Sequence, residues 1–415
     1  MLSAIAEFDG EADLDIYKRV APLDSGGIEI DVCDNDGTRI RVENGEVFEI
    51  TSGSECIYQR MENSLALPSV AEEDDFTLLE KYVRLTDIDF YLLIGWMTYT
   101  LATPKHKHAG FPILVIIASP GAGKSFFCKT ILRTFVDPVT NPIGIFTKTV
   151  NDMAISRQNA HLLIYDNIRE FDSNWSDHPC NAATGGAISG RALYTNAQEF
   201  TLSLLGPTVL NSIHPLIKEG DCATRTLTFQ LEPMPEEERK DEMTLSKEIM
   251  AEKSIIFTGL LQLIADILAV IDDVDVCHAS RMMQFSRWLA AMEICLALEP
   301  GVLQKAYLDN INTSMLEALI EDPLSNAVLE FAAKHKEPDL WVGTPSRLLL
   351  ALSEGQRPNV LRSTKHWPQT PISLGKRLPA IEKSLEAQGV ILVLGERGKN
   401  RRITLGMKAI ESTES

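Results

Sequence analysis

The chain has 415 residues, with 39 Lys+Arg against 58 Asp+Glu for a net charge of −19, and 45% hydrophobic against 23% charged residues. This composition excludes a chain that is mainly disordered, and at roughly 150 residues per domain the length predicts about three domains with cores of their own. The acidity argues against a protein coated throughout in nucleic acid, so a nucleic-acid surface would have to be local.

At the N-terminus, Met1 to Asp9 shows no basic stretch followed by an apolar one, and no secretory signal is read there. The apolar windows Phe90 to Ala102 and Phe111 to Ala118 are shorter than the ~20 residues that span a bilayer, which predicts a cytoplasmic protein with no membrane partner. Cys33, Cys56, Cys128, Cys180, Cys222, Cys277 and Cys295 are odd in number and contain no Cys-x-x-Cys pair. Neither a disulfide framework nor a structural zinc site is expected.

Between Ile28 and Ile50, short alternating runs separated by Asp34-Asn35-Asp36-Gly37 and Asn44-Gly45 predict a small β meander with tight turns. Ala71 to Asp75 is a solvated acidic stretch. Phe76 to Val83 and Asp87 to Ala102 read as helices, the second capped by Thr86 and stopped by Pro104. Phe111 to Ile117 is a continuous apolar run, as expected of a strand buried on both faces of a parallel sheet. Leu162 to Tyr165 and Pro207 to Leu210 are two more, and with helix-like stretches between them they predict an α/β domain of βαβ units. Glu232-Pro233-Met234-Pro235 closes that domain, and the chain then reads as helical to about His335.

From Trp341 to Gly406 the charge reverses, with eleven Lys or Arg against four Glu for a local charge of +7. Leu374, Leu378, Ile381 and Leu385 mark one face of a helix that Gly389 stops. Val390 to Leu394 and Ile403 to Leu405 form a strand pair around the basic stretch Gly395 to Arg402. Helix, helix and basic hairpin predict a winged helix. The regions expected are a β-meander segment over 1–75, a P-loop ATPase domain over 76–235, a helical domain over 236–335 and the winged helix over 336–415.

The chemistry is concentrated in Ala118-Ser119-Pro120-Gly121-Ala122-Gly123-Lys124-Ser125, directly after the apolar strand and directly before an apolar helix, Phe126 to Val136. That is the context of a phosphate-binding loop, although Ala118 stands where the first glycine usually does. The expected nucleotide contacts are Pro120, Gly121, Ala122, Gly123, Lys124, Ser125 and Phe126. Backbone N–H groups wrap the phosphates of ATP, Lys124 reaches the β and γ oxygens, and the Ser125 hydroxyl ligates Mg²⁺. Asp166, ending the Leu162 to Tyr165 run, is the expected carboxylate for the same Mg²⁺.

Asn167 follows, where most hydrolysing ATPases of this type carry a Glu that orients water. The base is therefore unassigned: Glu170 is one candidate, and Asn167 can polarise water without accepting its proton. Asn211, at the tip of the third strand, can sense the γ-phosphate or the attacking water. Arg225 can reach a neighbouring subunit's nucleotide. Taken singly, these two read equally as a turn residue and a surface ion-pair partner. The ordered catalytic set Lys124, Asp166, Asn167, Asn211 and Arg225 is more specific than any member.

Tyr165-Asp166-Asn167, Trp175-Ser176-Asp177, Cys180, Ala183-Thr184-Gly185-Gly186, Arg191 with Leu193-Tyr194-Thr195, and Pro207 to Asn211 resemble ATP-binding proteins of bacterial prophages and integrative elements. These are similar to the superfamily 3 and primase-helicase group of hexameric AAA+ motors, and the resemblance covers about Phe76 to Leu405. It implies that Lys124, Ser125 and Asp166 bind ATP and Mg²⁺, that Asn211 is sensor 1, and that Arg225 is an inter-subunit finger. Asn167 is the family's own departure from Asp-Glu, so hydrolysis is not excluded by it. Only about 75 residues precede the motor, too few for a primase domain.

Ile188 to Thr195 and Gln198 to Leu204 alternate around Asn196-Ala197 and predict a β-hairpin, which in the resembling motors grips DNA in the ring channel. Here Arg191 is its one basic residue, and a hairpin that extends the sheet has the same pattern. Lys105-His106-Lys107-His108 reads as a solvated basic loop. In the winged helix, Lys376, Arg377, Lys383, Arg397, Lys399, Arg401 and Arg402 are the expected DNA contacts, although the same fold also serves protein contacts.

The function expected is an ATP-dependent DNA helicase or translocase of a mobile element, acting in replication as a homo-oligomeric ring on single-stranded or forked DNA, with a separate primase or initiator as partner. The alternative is a nucleotide-switched DNA-binding initiator or loader. A small-molecule kinase lacks acceptor and lid signals.

Overall fold

The computed structural model describes residues 15–105, 109–119, 121–144, 149–168, 173–191, 199–232, 241–364, 367–396 and 402–409. They fall into two units, one of residues 1–170, 177–216 and 225–308, the other of 171–176, 217–224 and 309–415.

In the first unit, β1 (Ile16–Tyr17) leads into the meander, a four-stranded antiparallel sheet of β2 (Val20–Pro22), β3 (Ile28–Asp31), β4 (Arg39–Glu43) and β5 (Glu46–Ile50). Asn44 and Gly45 both take positive φ, as a two-residue hairpin turn requires, and set Glu43 opposite Glu46. β6 (Ile57–Tyr58) returns to pair in parallel with β1. Arg19, only 1% exposed, ties this segment inward through Asp137, donating from Nη2 at 2.8 Å and Nε at 3.2 Å.

The helix expected over Phe76 to Val83 is present as a 3₁₀ helix, Phe76–Tyr82, with Asp75 accepting from the Thr77 N–H. The helix Asp87–Ala102 is capped by Thr86 as expected and is buried around most of its circumference. Gly95 lets it approach its neighbour, because a Cβ there would stand 2.8 Å from Leu289 Cδ2. Trp96 and Tyr99 satisfy their polar tips on the carbonyls of Pro112 and Gly110.

The central sheet consists of β7 (Ile113–Ala118), β8 (Leu163–Tyr165), β11 (Thr208–Ser212) and β12 (Thr226–Leu231), all parallel, in the order β12-β7-β11-β8. Three of the strands occupy the expected apolar runs. The fourth, β12, was hidden because Thr226, Thr228 and Gln230 interrupt its apolar residues. Between β8 and β11, β9 (Ala187–Arg191) and β10 (Glu199–Ser203) pair antiparallel as a hairpin; residues 192–198 lie outside the described residues. Among the described residues it is a two-stranded sheet of its own, so it does not extend the central one.

Past β12, the helix Glu242–Val270 runs beneath Phe76–Tyr82, where a Cβ on Gly259 would lie 2.4 Å from the Phe76 nitrogen. Among the described residues, Glu242–Asp273 is the one stretch long and apolar enough to cross a membrane, and 56% of its most apolar window is buried within the protein. It outruns the two shorter windows singled out from the sequence.

The second unit contains the helices Pro323–Ala332, Pro345–Ser353, Pro358–Arg362 and Pro371–Ala387 around an antiparallel sheet. Its strands are β13 (Trp341–Gly343), β14 (Val390–Leu394) and β15 (Ile403–Met407), in the order β13-β15-β14. Each of the four helices begins with proline, whose fixed φ and missing N–H suit the first turn. Thr370 and Ser373 cap the last of them reciprocally. Leu374, Leu378 and Leu385 join Leu348, Trp367, Ile403 and Leu405 in the core, so the apolar stripe does face inward.

Candidate functional site

The loop after β7 leaves the buried strand at Ala118 and reverses through Gly121 and Gly123, at φ +86° and +79°. A Cβ at either glycine would meet nothing within 4 Å; glycine is therefore demanded by the left-handed backbone and leaves an open cradle. The Ala122 N–H donates to Ser119 O at 3.2 Å and the Phe127 N–H to Gly123 O at 2.9 Å, which ties the turn to the helix that follows. Lys124 Nζ reaches back to donate to Ala118 O at 2.6 Å. Burial pushes this ammonium below its usual value, and the Asp166 carboxylate opposes that shift. Ser125 is half-buried and Phe126 buried; Pro120 lies outside the described residues.

The helix expected over Phe126 to Val136 differs in form. Lys124–Phe126 and Arg133–Phe135 are α-helical, while Phe127–Leu132 is a wider π turn. That turn carries Cys128, whose Sγ lies 3.7 Å from Asn211 Nδ2, the donor. The Cys128 thiol is pushed up to about 12 by burial and then by the Asp166 charge. Lys124, Cys128, Asp166 and Asn211 therefore lie together at the C-terminal ends of β7, β8 and β11. Asn211 is fully buried, and its Oδ1 has no hydrogen-bond partner among the described residues.

Asp166 is half-exposed and Asn167 exposed. Asn167 takes φ +54°, a left-handed conformation that asparagine tolerates better than glutamate does. The Ile168 N–H then donates to Asn211 O at 3.0 Å, and Ser212 Oγ donates to Ile168 O at 2.9 Å, which hooks this turn onto the neighbouring strand. Glu170 lies outside the described residues.

A cavity of about 410 Å³ opens from the glycine loop. Its far wall is made by Tyr82, Val83, Arg84, Leu231 and Leu245, none of which sequence reasoning had marked. No motif announces them, because they come from three separate segments that only the fold brings together.

The remaining expected residues are dispersed. Arg225 precedes β12 at the N-terminal edge of the sheet, where its carbonyl accepts from the Ile113 N–H at 2.8 Å, at the opposite end of the strands from the glycine loop. It is 7% exposed, so it is not the surface ion-pair residue that one reading allowed. Arg191 ends β9 opposite Glu199, and its side chain lies outside the described residues. Lys376, Lys383 and Arg402 are exposed, while Arg377 is half-buried with Asp322 at 3.8 Å. Arg397, Lys399 and Arg401 lie outside the described residues. Lys105 is not on a solvated face: it is half-buried, and its Nζ donates to Ala160 O at 3.1 Å. His106 to His108 lie outside the described residues.

The family model of the actinomycete integrative conjugative element replication protein matches residues 84–314, more than half of the chain, and the chain belongs to that family. The model of the AICE RepA C-terminal domain matches residues 324–414. The family is thus narrower than the prophage and integrative-element grouping expected from the motifs. No curated protein matches in sequence. Among solved structures, two apo structures of the NrS-1 C-terminal region are similar at 10% and 12% identity, with TM-scores of 0.38 and 0.37; each match covers 89% of this chain and 94% of the other. A ligand-bound JCV helicase is similar at 11% identity and TM-score 0.27, over 55% of this chain and 62% of its own.

Proposed function

We propose that this member of the integrative conjugative element replication family is an ATP-driven DNA helicase or translocase that works as a homo-oligomeric ring, hexameric as the motif resemblance implies. The observation that carries the reading is the open glycine cradle at the end of a fully buried parallel strand, with Lys124, Asp166 and Asn211 gathered beside it. In this reading residues 76–235 are the P-loop ATPase, 236–335 its helical extension and 336–415 a winged helix that holds DNA.

The residues present suit a magnesium nucleotide. The loop offers backbone N–H groups and one ammonium to phosphate oxygens. Ser125 and Asp166 offer one hydroxyl and one carboxylate, the sparse all-oxygen set that suits Mg²⁺, which keeps several waters. Among the described residues no cluster of three or more His, Cys, Asp or Glu forms a closed metal cage. Ser125 and Asp166 would hold the Mg²⁺, which when bound would supply charge neutralisation on the phosphates.

The chain's own groups do the rest. Lys124 exchanges the Ala118 carbonyl for a phosphate oxygen, and the cavity wall of Tyr82, Val83, Leu231 and Leu245 takes the base. The orphaned Asn211 Oδ1 accepts from the attacking water, and Asn167 polarises it. Arg225 acts in trans if ring assembly uncovers it. Lys376, Arg377, Lys383, Arg397, Lys399, Arg401 and Arg402 contact DNA phosphates, and Arg191 does so on the hairpin.

A second reading, a nucleotide-switched initiator or loader that does not unwind DNA, is favoured by Asn167, which puts no carboxylate beside Asp166. ATP turnover with and without single-stranded DNA, in wild type, Lys124→Ala and Arg225→Ala, tests both. Stimulation by DNA that both substitutions abolish supports the ring motor. Slow turnover indifferent to DNA and to Arg225→Ala supports the switch, and turnover that survives Lys124→Ala would sink the site assignment.

A further inference from the structure

At the opposite end of the central sheet lies a second cavity, of about 180 Å³, unconnected with the nucleotide cavity. Its cationic lining comes from three distant segments: Lys18 and Arg19 beside β2, Lys105 beyond the helix Asp87–Ala102, and Arg157 at the end of the helix Val150–Gln158. His161, Gln158 and Ser203 complete its polar wall, and among the described residues no carboxylate lines it.

Among the described residues, the buried acids that act on Arg19 are Asp31, which is paired with Arg39 and Arg60, and Asp137, which is also already engaged. Asp137 accepts from Arg19, from Arg133 at 3.4 Å and from the Leu162 N–H at 2.9 Å. The other cations find only neutral acceptors. Lys18 Nζ donates to Arg157 O at 2.9 Å and to Gln158 Oε1 at 3.3 Å, and Lys105 Nζ donates to Ala160 O. The Arg157 guanidinium donates to the carbonyls of His161 and Pro207 and to Thr208 Oγ1. Arg157 is 1% exposed, and its Nε has no partner among the described residues.

Carbonyls satisfy donors but do not neutralise charge, and buried like charges repel strongly at low dielectric. The crowding shows in the groups themselves: burial and then the Arg157 charge bring Lys18 down to about 8. The same causes hold Lys105 well below its usual value, with Lys18 adding to them. Gly206 makes the crowding sterically feasible, since a Cβ there would lie 2.8 Å from Lys105 Cε and 2.9 Å from Arg157 Nη1.

We infer that this cavity is a binding site for the oxyanion of a phosphate group, with Lys18 and Lys105 as its donors and Arg157 as the buried charge beside them. Lys18 and Lys105 line the cavity with donors beyond the bonds to Arg157 O, Gln158 Oε1 and Ala160 O, one on Lys18 and two on Lys105, and the buried Arg157 guanidinium adds its charge beside them. Ser203, exposed at the base of the β9–β10 hairpin, belongs to the lining, and either a free phosphate or a phosphate of a DNA backbone supplies such a group.

The experiment titrates the full chain with inorganic phosphate by calorimetry, in wild type, Lys124→Ala, Lys18→Gln and Lys105→Gln, with circular dichroism melts to verify folding. Lys18 is half-exposed, so its substitution keeps the test open should Lys105→Gln fail to fold. Phosphate binding that persists in Lys124→Ala and weakens about tenfold or more in Lys18→Gln is expected. A second arm measures oligothymidylate affinity in the same variants. A parallel tenfold loss, with oligothymidylate displacing phosphate, identifies the DNA backbone as the source; undiminished DNA affinity identifies free phosphate. The inference is overturned if phosphate binds only where Lys124 is intact and neither phosphate nor DNA affinity responds to Lys18→Gln or Lys105→Gln. Because Lys124→Ala separates the two cavities, failure here leaves the nucleotide-site reading standing, and the reverse also holds.

Discussion

The two ends of the central sheet handle charge in opposite ways. At the C-terminal ends of the strands the polar groups are held lightly: Lys124 has one carbonyl, Asn211 Oδ1 has no described partner, and the glycine loop is open. At the N-terminal ends, Arg19, Asp137 and Arg133 form a buried ion triad that joins the meander to the sheet at the start of β8. Lightly held groups can exchange partners during a reaction, whereas buried and saturated ones hold segments in place. One sheet therefore carries a working end for nucleotide and, in the Arg19–Asp137–Arg133 triad beside the basic cavity, a structural anchor, and substitutions at these two should separate activity from stability.

The largest effect is expected at the working end. Lys124→Ala should lower ATP turnover by about 100-fold or more, the scale of losing one preorganised charge at a transition state. Its urea midpoint should stay near wild type, because a half-exposed side chain with a single bond is removed. Asp137→Ala should do the converse. It leaves Arg19 and Arg133 buried without their anion, a loss of about 3–5 kcal/mol in unfolding free energy. A stable Asp137→Ala protein, or an unfolded Lys124→Ala one, would break the contrast.

Acid sharpens it further. Burial alone would raise Asp137, but Arg19, His161 and Arg133 hold its carboxyl down at about 2, below its ordinary value. A carboxyl depressed in the folded state contributes stability that is complete above its unfolded value, near pH ~4, and is lost as pH falls toward about 2. Unfolding free energy followed over that window should drop, and Asp137→Ala should flatten the drop.

How much of this was legible in the sequence depended on locality. The glycine loop, the three apolar strands and the Thr86 cap each sit within a few consecutive residues, where spacing and turn chemistry suffice. The π turn at Phe127–Leu132 was not legible, since an apolar stretch does not distinguish a four-residue from a five-residue hydrogen-bond step. Nor was the basic cavity, where Lys105 reads as part of a solvated loop and no motif marks Lys18 or Arg157. The far wall of the nucleotide cavity was hidden for the same reason. Long-range convergence is what sequence periodicity does not carry.

The smallest expected effect concerns Asn167, where sequence and backbone explain each other. The usual motif has Glu at this position, but here the residue sits at φ +54° between Asp166 and an Ile168 whose N–H and carbonyl are both hooked to β11. A glutamate forced into that conformation should cost about 1 kcal/mol, while glycine should fall within about 0.5 kcal/mol of wild type. Unfolding of Asn167→Glu and Asn167→Gly, measured beside wild type, decides this. If Asn167→Glu is as stable as wild type, the backbone does not select asparagine, and the missing carboxylate must be explained by the chemistry of the site. If only Asn167→Glu is destabilised, the departure from Asp-Glu follows from the tether between β8 and β11. The working end would then hold one fixed element among its exchangeable ones.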